Sequence, residues 1–206
     1  MRQKALLAMV ALGVVLLVGV PMAVASPNLV NNGSFETGDF TDWTPGGNFV
    51  NTSVTFGGFY GYSGAEDGTW YAILGPAGSD GTLSQTFATT PGAQYTISFW
   101  FASVGDNPSD FNAYWDGDLL YSANNPNTGA VWTQFTFTDM GTGSDTIQFN
   151  FRDDPGWMAL DNISVTQNGG TTPEPSSLLL LGSGLLTMGG VIRRKFQANR
   201  IGRAHV

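Results

Sequence analysis

An all-β, antiparallel β-sandwich set between two apolar end segments is the fold class this sequence predicts, and three observations predict it. Several short runs alternate apolar and polar residues at period 2, the pattern of a strand with one buried face. The segment between the apolar ends is rich in Gly, Thr, Ser and Asn, residues that favour strands and turns over helices. No stretch of that segment carries an apolar period of 3.6 residues, so no amphipathic helix is expected there.

The first element is an export signal. Arg2 and Lys4 form a positive start, Ala5 to Val20 is an apolar run, Pro21 breaks it, and Ala23-Val24-Ala25 is a small-x-small cleavage pattern. Residues 1–25 therefore read as a signal peptide, and the mature chain is expected to begin near Ser26. The body, 26–168, follows. Trp70 to Leu74 is a short apolar strand after a Gly-rich loop. Gln94 to Phe101 sets Tyr95, Ile97, Phe99 and Phe101 on one face against Thr96, Ser98 and Trp100. Asp116-Gly117, between Tyr114-Trp115 and Leu119-Leu120-Tyr121, reads as a two-residue hairpin turn. Trp132 to Thr138 sets Thr133, Phe135 and Phe137 against Trp132, Gln134 and Thr136, and Ile147, Phe149 and Phe151 share a face of the run from Thr146. Short strands with turn signals at this spacing predict an antiparallel sandwich.

Residues 169–174 form a polar linker running into Pro173-Glu174-Pro175. Residues 175–192 carry no charge, and as a helix they would be about 27 Å long at 1.5 Å per residue. A bilayer core is about 30 Å thick, so one transmembrane helix is predicted here. Arg193, Arg194 and Lys195, with Arg200 and Arg203 beyond, make 193–206 a basic tail that belongs on the cytoplasmic side. The body is then held outside the cytoplasm, anchored to the membrane through its C-terminal end.

Charge and composition exclude several functions. Of the 16 acidic residues all but Glu174 lie in the body, where Arg152 is the only basic residue. Nucleic acid is not an expected partner, because phosphate binding needs clustered Lys and Arg. There is no cysteine, and the only histidine, His205, lies in the basic tail. Ser–His, Cys–His and histidine–metal chemistry are therefore absent from the body. Gly141-Thr142-Gly143-Ser144 sits between two β runs, which is a turn and not the strand-to-helix setting of a phosphate loop. No catalytic residue is assigned, and the body is expected not to be an enzyme.

Two aromatic residues on the polar parity are candidates for ligand binding. Trp100 lies with Thr96 and Ser98, and Trp132 with Gln134 and Thr136. A flat indole beside hydroxyl and amide groups suits a sugar ring; the alternative is that loops cover these rings and they are simply packed. Trp43 and Trp157 are expected to plug the ends of the sandwich, with Tyr60 and Tyr62 as weaker binding candidates. Asp161 shares parity with Ile163 and Val165 and is expected to face the core. A buried carboxylate needs a partner: Arg152, a calcium ion or backbone N–H groups of a turn.

The order Pro173-Glu174-Pro175, apolar run, Arg193-Arg194-Lys195 resembles the PEP-CTERM sorting signal of bacterial exosortase substrates. That resemblance implies processing by an exosortase-type membrane enzyme and final residence at the cell surface or in an extracellular polysaccharide matrix. Asn31-Asn32-Gly33-Ser34-Phe35-Glu36, with Gly38-Asp39-Phe40 and Trp43, resembles the opening of jelly-roll carbohydrate-binding modules of the galactose-binding-like kind, and Leu160-Asp161-Asn162-Ile163-Ser164-Val165 resembles their closing strand. The resemblance implies a jelly-roll body that binds a glycan, neutral polysaccharides being favoured by the acidic body. The rival reading is a structural or adhesive matrix protein without a small-ligand site, and a third is a glycoside-active enzyme working through a carboxylate pair. The resemblance to jelly-roll modules also implies a structural Ca²⁺ with ligands matching Glu36 and Asp161, completed by the Ser34 carbonyl and the Glu66/Asp67 loop, so the expected metal set is Ser34, Glu36, Asp67 and Asp161. Hard oxygen donors of this kind suit calcium.

Overall fold

The computed structural model describes residues 26–169. The expected signal peptide, transmembrane helix and basic tail lie outside the described residues; among those described, no helix is long and apolar enough to cross a membrane. Ten strands follow one another: β1 (Thr44–Gly47), β2 (Thr52–Phe56), β3 (Trp70–Leu74), β4 (Gly81–Ala88), β5 (Gln94–Ala102), β6 (Ser109–Trp115), β7 (Asp118–Asn124), β8 (Thr133–Met140), β9 (Ser144–Asp153) and β10 (Met158–Gln167). They form two five-stranded sheets, β1-β4-β9-β6-β7 and β2-β3-β10-β5-β8, antiparallel throughout.

Period 2 places the core. Tyr95, Ile97, Phe99 and Phe101 of β5 turn inward to meet Phe111, Ala113 and Trp115 of β6 and Ile147, Phe149 and Phe151 of β9. Ring centroids are 4.3 Å apart for Phe101–Phe111 and 5.2 Å for Phe99–Phe149. Burial of such side chains is the main force holding the two sheets face to face, about 2 kcal/mol for each fully buried ring. The β6–β7 hairpin turns on Asp116 and Gly117 with φ of 48° and 87°, the left-handed pair of a type I′ turn. Trp43 is buried in the core, packing on Phe35 and Phe149 and donating its indole N–H to the Asn32 carbonyl at 3.0 Å.

A second, smaller cluster lies on the outer face of the second sheet. Tyr71 and Ile73 of β3, Ala159 of β10 and Ala102 of β5 point away from the core and are nonetheless buried. They lie beneath the Gly-rich segment 57–69, whose Tyr62 is itself only 3% exposed. The second sheet is therefore covered on both faces where this segment crosses it.

Candidate functional site

The two outer faces offer different chemistry. On the first sheet, the residues between the buried positions of β9 and β6 form a polar ladder. Tyr114 pairs with Gln148, Asn112 with Asn150 and Asp110 with Arg152. A groove of ≈ 800 Å³ is lined here by Tyr114, Asp116, Gly117, Ser144, Thr146, Gln148 and Asn150. Gln148 Nε2 donates to Asn150 Oδ1 at 2.7 Å, and Thr86 and Thr146 share a hydroxyl–hydroxyl bond of 2.7 Å. Asp116, exposed on the hairpin, accepts the Thr146 N–H at 2.7 Å and the Thr142 hydroxyl at 3.3 Å. Burial and the Asp80 charge raise the Asp110 carboxyl above its ordinary value. One aromatic face, two amides and several hydroxyls converge on an open trough within the size range of small-ligand sites, about 300–1,000 Å³. None of these residues was singled out from sequence as a site. The signal was available: alternate positions of β6 and β9 read Asn112, Tyr114 and Gln148, Asn150, a polar face richer in amides than an idle surface requires.

On the second sheet the two candidate tryptophans part company. Trp132 is built into the cover. Its indole N–H donates to the Gly64 carbonyl at 2.9 Å, and its ring meets Tyr71 edge-on at 5.8 Å and Tyr62 at 6.4 Å. Trp100 is half-buried on the same outer face, paired across the sheet with Gln134 and Asp161. Trp157, expected at an end of the sandwich, lies in the β9–β10 turn, donates to the Asn51 carbonyl at 2.8 Å and packs against Phe59 and Tyr60 of the covering segment. Tyr60 is exposed, whereas Tyr62 is bonded through its hydroxyl to the Trp157 carbonyl, and burial pushes its pKa up.

Asp161 is fully buried, but not in the core. Leu160 and, further on, Ile163 and Val165 face inward. Between them the register slips: Asp161 pairs with Trp100, while Ser164 pairs with Ser98. Asn162 takes up the extra residue with φ of 46°, as in a β-bulge. The bulge turns Asp161 to the Trp100 face, correcting the parity expected from the unbroken strand. The partner is not Arg152, whose guanidinium is bound by Asp154. Three backbone N–H groups serve instead: Glu66 at 2.8 Å and Asp67 at 3.1 Å on Oδ2, and Asn162 at 2.8 Å on Oδ1. Burial nevertheless outweighs these donors and raises the carboxyl from 3.8 to about 7.

The remaining metal candidates converge on the same segment. Glu36 Oε1 accepts the N–H groups of Thr69 at 2.7 Å and Trp70 at 2.8 Å, and Ser34 Oγ donates to Asp67 Oδ2 at 3.0 Å. Ser34, Glu36, Asp67 and Asp161 thus meet around residues 66–70, and Asn162 adds a 2.8 Å bond to Glu66 Oε2. Among the described residues, no three Asp, Glu or His side chains are gathered in a metal-holding group. What the arrangement does by itself is clamp the covering segment to β10.

A family model described as the PEP-CTERM protein-sorting motif matches residues 171–195. The chain therefore carries this motif, and Pro173, Glu174, Pro175, Arg193, Arg194 and Lys195 all fall inside it. No curated protein matches the chain in sequence. Among solved structures, the sandwich is similar to TmCBM61 in complex with β-1,4-galactotriose, with a TM-score of 0.58 and 19% identity, covering 69% of this chain and 100% of that one. It is also similar to the enzymatically active domain of tailspike protein 4 from bacteriophage CBA120, with a TM-score of 0.50 and 19% identity, covering 68% of this chain and 21% of that one. The CBM22-1 xylan-binding domain of Paenibacillus barcinonensis Xyn10C follows at a TM-score of 0.48 and 16% identity, with 72% and 99% covered. The first likeness carries the fold assignment: an all-β sandwich with the fold of TmCBM61.

Proposed function

We propose that this is an exported protein, sorted through its C-terminal motif by an exosortase-type enzyme, whose sandwich binds neutral glycans at the cell surface or in an extracellular polysaccharide matrix. The observation that carries the glycan reading is the trough on the first sheet. Tyr114 offers a ring face for a pyranose, and Gln148, Asn150, Thr146 and Ser144 offer donors and acceptors for its hydroxyls. The fold it shares with a galactotriose-bound module supports the same reading. Trp100 is a second candidate contact, on the opposite outer face. The reading is one of binding; residues 26–169 contain neither His nor Cys, so Ser–His, Cys–His and histidine–metal chemistry have no residues there. A structural matrix protein is the rival reading, favoured by the packing of Trp132 under the covering segment.

A structural Ca²⁺ held by Ser34, Glu36, Asp67 and Asp161 belongs to the same proposal. Its support is donor chemistry: Glu36 takes both amides on Oε1 and Asp67 takes the Ser34 hydroxyl on Oδ2, so each keeps its other oxygen for a cation. Its effect should be modest, because backbone N–H groups already serve Asp161. The glycan reading is tested by a neutral-glycan array probed with the purified chain, with and without calcium. Binding to at least one neutral oligosaccharide is expected; an empty array in both conditions would leave the matrix protein in its place. Sorting is tested in the native host by replacing Pro173-Glu174-Pro175 with alanines. The expected product is inserted and unprocessed, and normal maturation would overturn the exosortase step.

A further inference from the structure

At one end of the sandwich the chain buries a second aspartate whose surroundings are unlike those of Asp161. Asp153 closes β9 and is 1% exposed, and neither of its carboxylate oxygens meets a hydrogen-bond partner. Asp106, in the connection from β5 to β6, also buries Oδ2 without a partner. Three orphaned carboxylate oxygens thus lie in one region, and no hydrogen bond joins the two groups. Such atoms are costly to bury unless something satisfies them.

The Tyr60 hydroxyl faces Asp106, but no neighbour supplies a counter-charge. Arg152, the only basic residue between 26 and 168, is engaged by Asp154. The Gly156 N–H faces Asp153 without closing a hydrogen bond. A Cβ on Gly156 would run into Asp106 Oδ2 and the Tyr60 hydroxyl, so glycine there lets the β9–β10 turn close tightly on this spot. Tyr60 and Tyr62 of the covering segment and the charge of Asp106 all act on the same place. Burial first, and the Asp106 charge second, hold the Asp153 carboxyl up to about 7.

We infer that Asp106 and Asp153 form a binding site for a hard divalent cation of the calcium class, distinct from the Ser34, Glu36, Asp67 and Asp161 set. The cation neutralises two carboxylates that lack any other counter-charge, and oxygen-only donors match its preference. Backbone carbonyls and water complete the shell. Bound there, it ties the β5–β6 connection, the β9–β10 turn and the tyrosines of the covering segment together.

The probe is terbium, which replaces calcium and emits when a nearby aromatic ring transfers excitation to it; Tyr60, Tyr62 and Trp157 are the donors at this site. The full chain, kept in mild detergent, is titrated with Tb³⁺ and competed with Ca²⁺, alongside melting curves in calcium and in chelator. Wild type is expected to give sensitised emission displaced by calcium. In an Asp161→Asn background, which removes the other proposed calcium set, Asp153→Asn and Asp106→Asn, which keep side-chain size, are expected to weaken it at least tenfold. In chelator, Asp153→Asn is expected to melt no lower than wild type, which shows that the variant folds. Asp161→Asn is expected to retain the emission. If Asp161→Asn abolishes the metal response while Asp153→Asn and Asp106→Asn leave it intact, the response belongs to the other set and the inference fails. Absence of any metal response in wild type also overturns it, whatever the glycan array shows.

Discussion

The two sheets bury the same kind of inner face and treat their outer faces in opposite ways. The first sheet leaves its outer face open, as a ladder of Tyr114, Gln148, Asn112 and Asn150. The second roofs part of its outer face with residues 57–69, over Tyr71, Ile73, Ala102 and Ala159. Both buried aspartates of this comparison, Asp161 and Asp153, meet that roof, one through Glu66 and Asp67 and the other beside Tyr60 and Tyr62. The contrast teaches where an aromatic residue on the polar parity is structural and where it is free to meet a ligand. Trp132 has a covering segment to hold, whereas Tyr114 faces a trough.

The largest expected effect breaks the roof. Trp132→Ala removes a ring packed on Tyr62 and Tyr71 together with an indole hydrogen bond to Gly64, and should cost about 3 kcal/mol of stability in chemical denaturation. Trp100→Ala, half-buried on the same face and outside the cluster of Tyr62, Tyr71 and Trp132, should cost less than half as much. Equal costs would mean that the segment does not distinguish the two rings. Next comes the clamp: Asp161→Ala leaves the N–H groups of Glu66, Asp67 and Asn162 without their acceptor and should cost about 1–3 kcal/mol. Protease nicking within 57–69 should accelerate in that variant, and an unchanged nicking rate would show that the clamp does not hold the segment.

Much of this architecture was legible in the sequence. The faces of β5, β8 and β9 and the Asp116-Gly117 hairpin follow directly from period 2 and turn chemistry. β4 escaped because Gln85 occupies an inward position, where it is buried and exchanges hydrogen bonds with the backbone of Asn31 at 2.8 and 2.9 Å. A polar residue on the core face hides a strand from a pattern search. Asp161 was placed on the wrong face because parity assumes an unbroken strand, and one bulged residue reverses it. Asn162 was the available sign, since Asn tolerates the left-handed region better than most residues. The open trough is less legible than an exposed tryptophan, although a tyrosine beside amides offers the same surface.

A smaller effect sharpens the difference from an ordinary acidic surface. In chelator, Asp161 and Asp153 each titrate in the fold near 7, against an ordinary 3.8. A raised carboxyl pKa means that the native state holds its proton more tightly than the unfolded chain, so stability is highest at low pH and falls as pH rises from about 4 through 7. Glu66 adds to the burial effect at Asp161, and Asp106 does so at Asp153. Melting temperature in chelator should therefore decline across that window, with a smaller decline in Asp153→Asn. A flat profile would show that neither carboxyl is held as described.

Whether the open face of the first sheet is the glycan surface is decided by titrating wild type, Tyr114→Ala and Trp100→Ala with a neutral oligosaccharide found on the array. Loss of about 1 kcal/mol or more of binding free energy in Tyr114→Ala, with an unchanged melting temperature and with Trp100→Ala binding like wild type, is the predicted result. Binding that survives Tyr114→Ala and disappears in Trp100→Ala would contradict it and move the site to the second sheet.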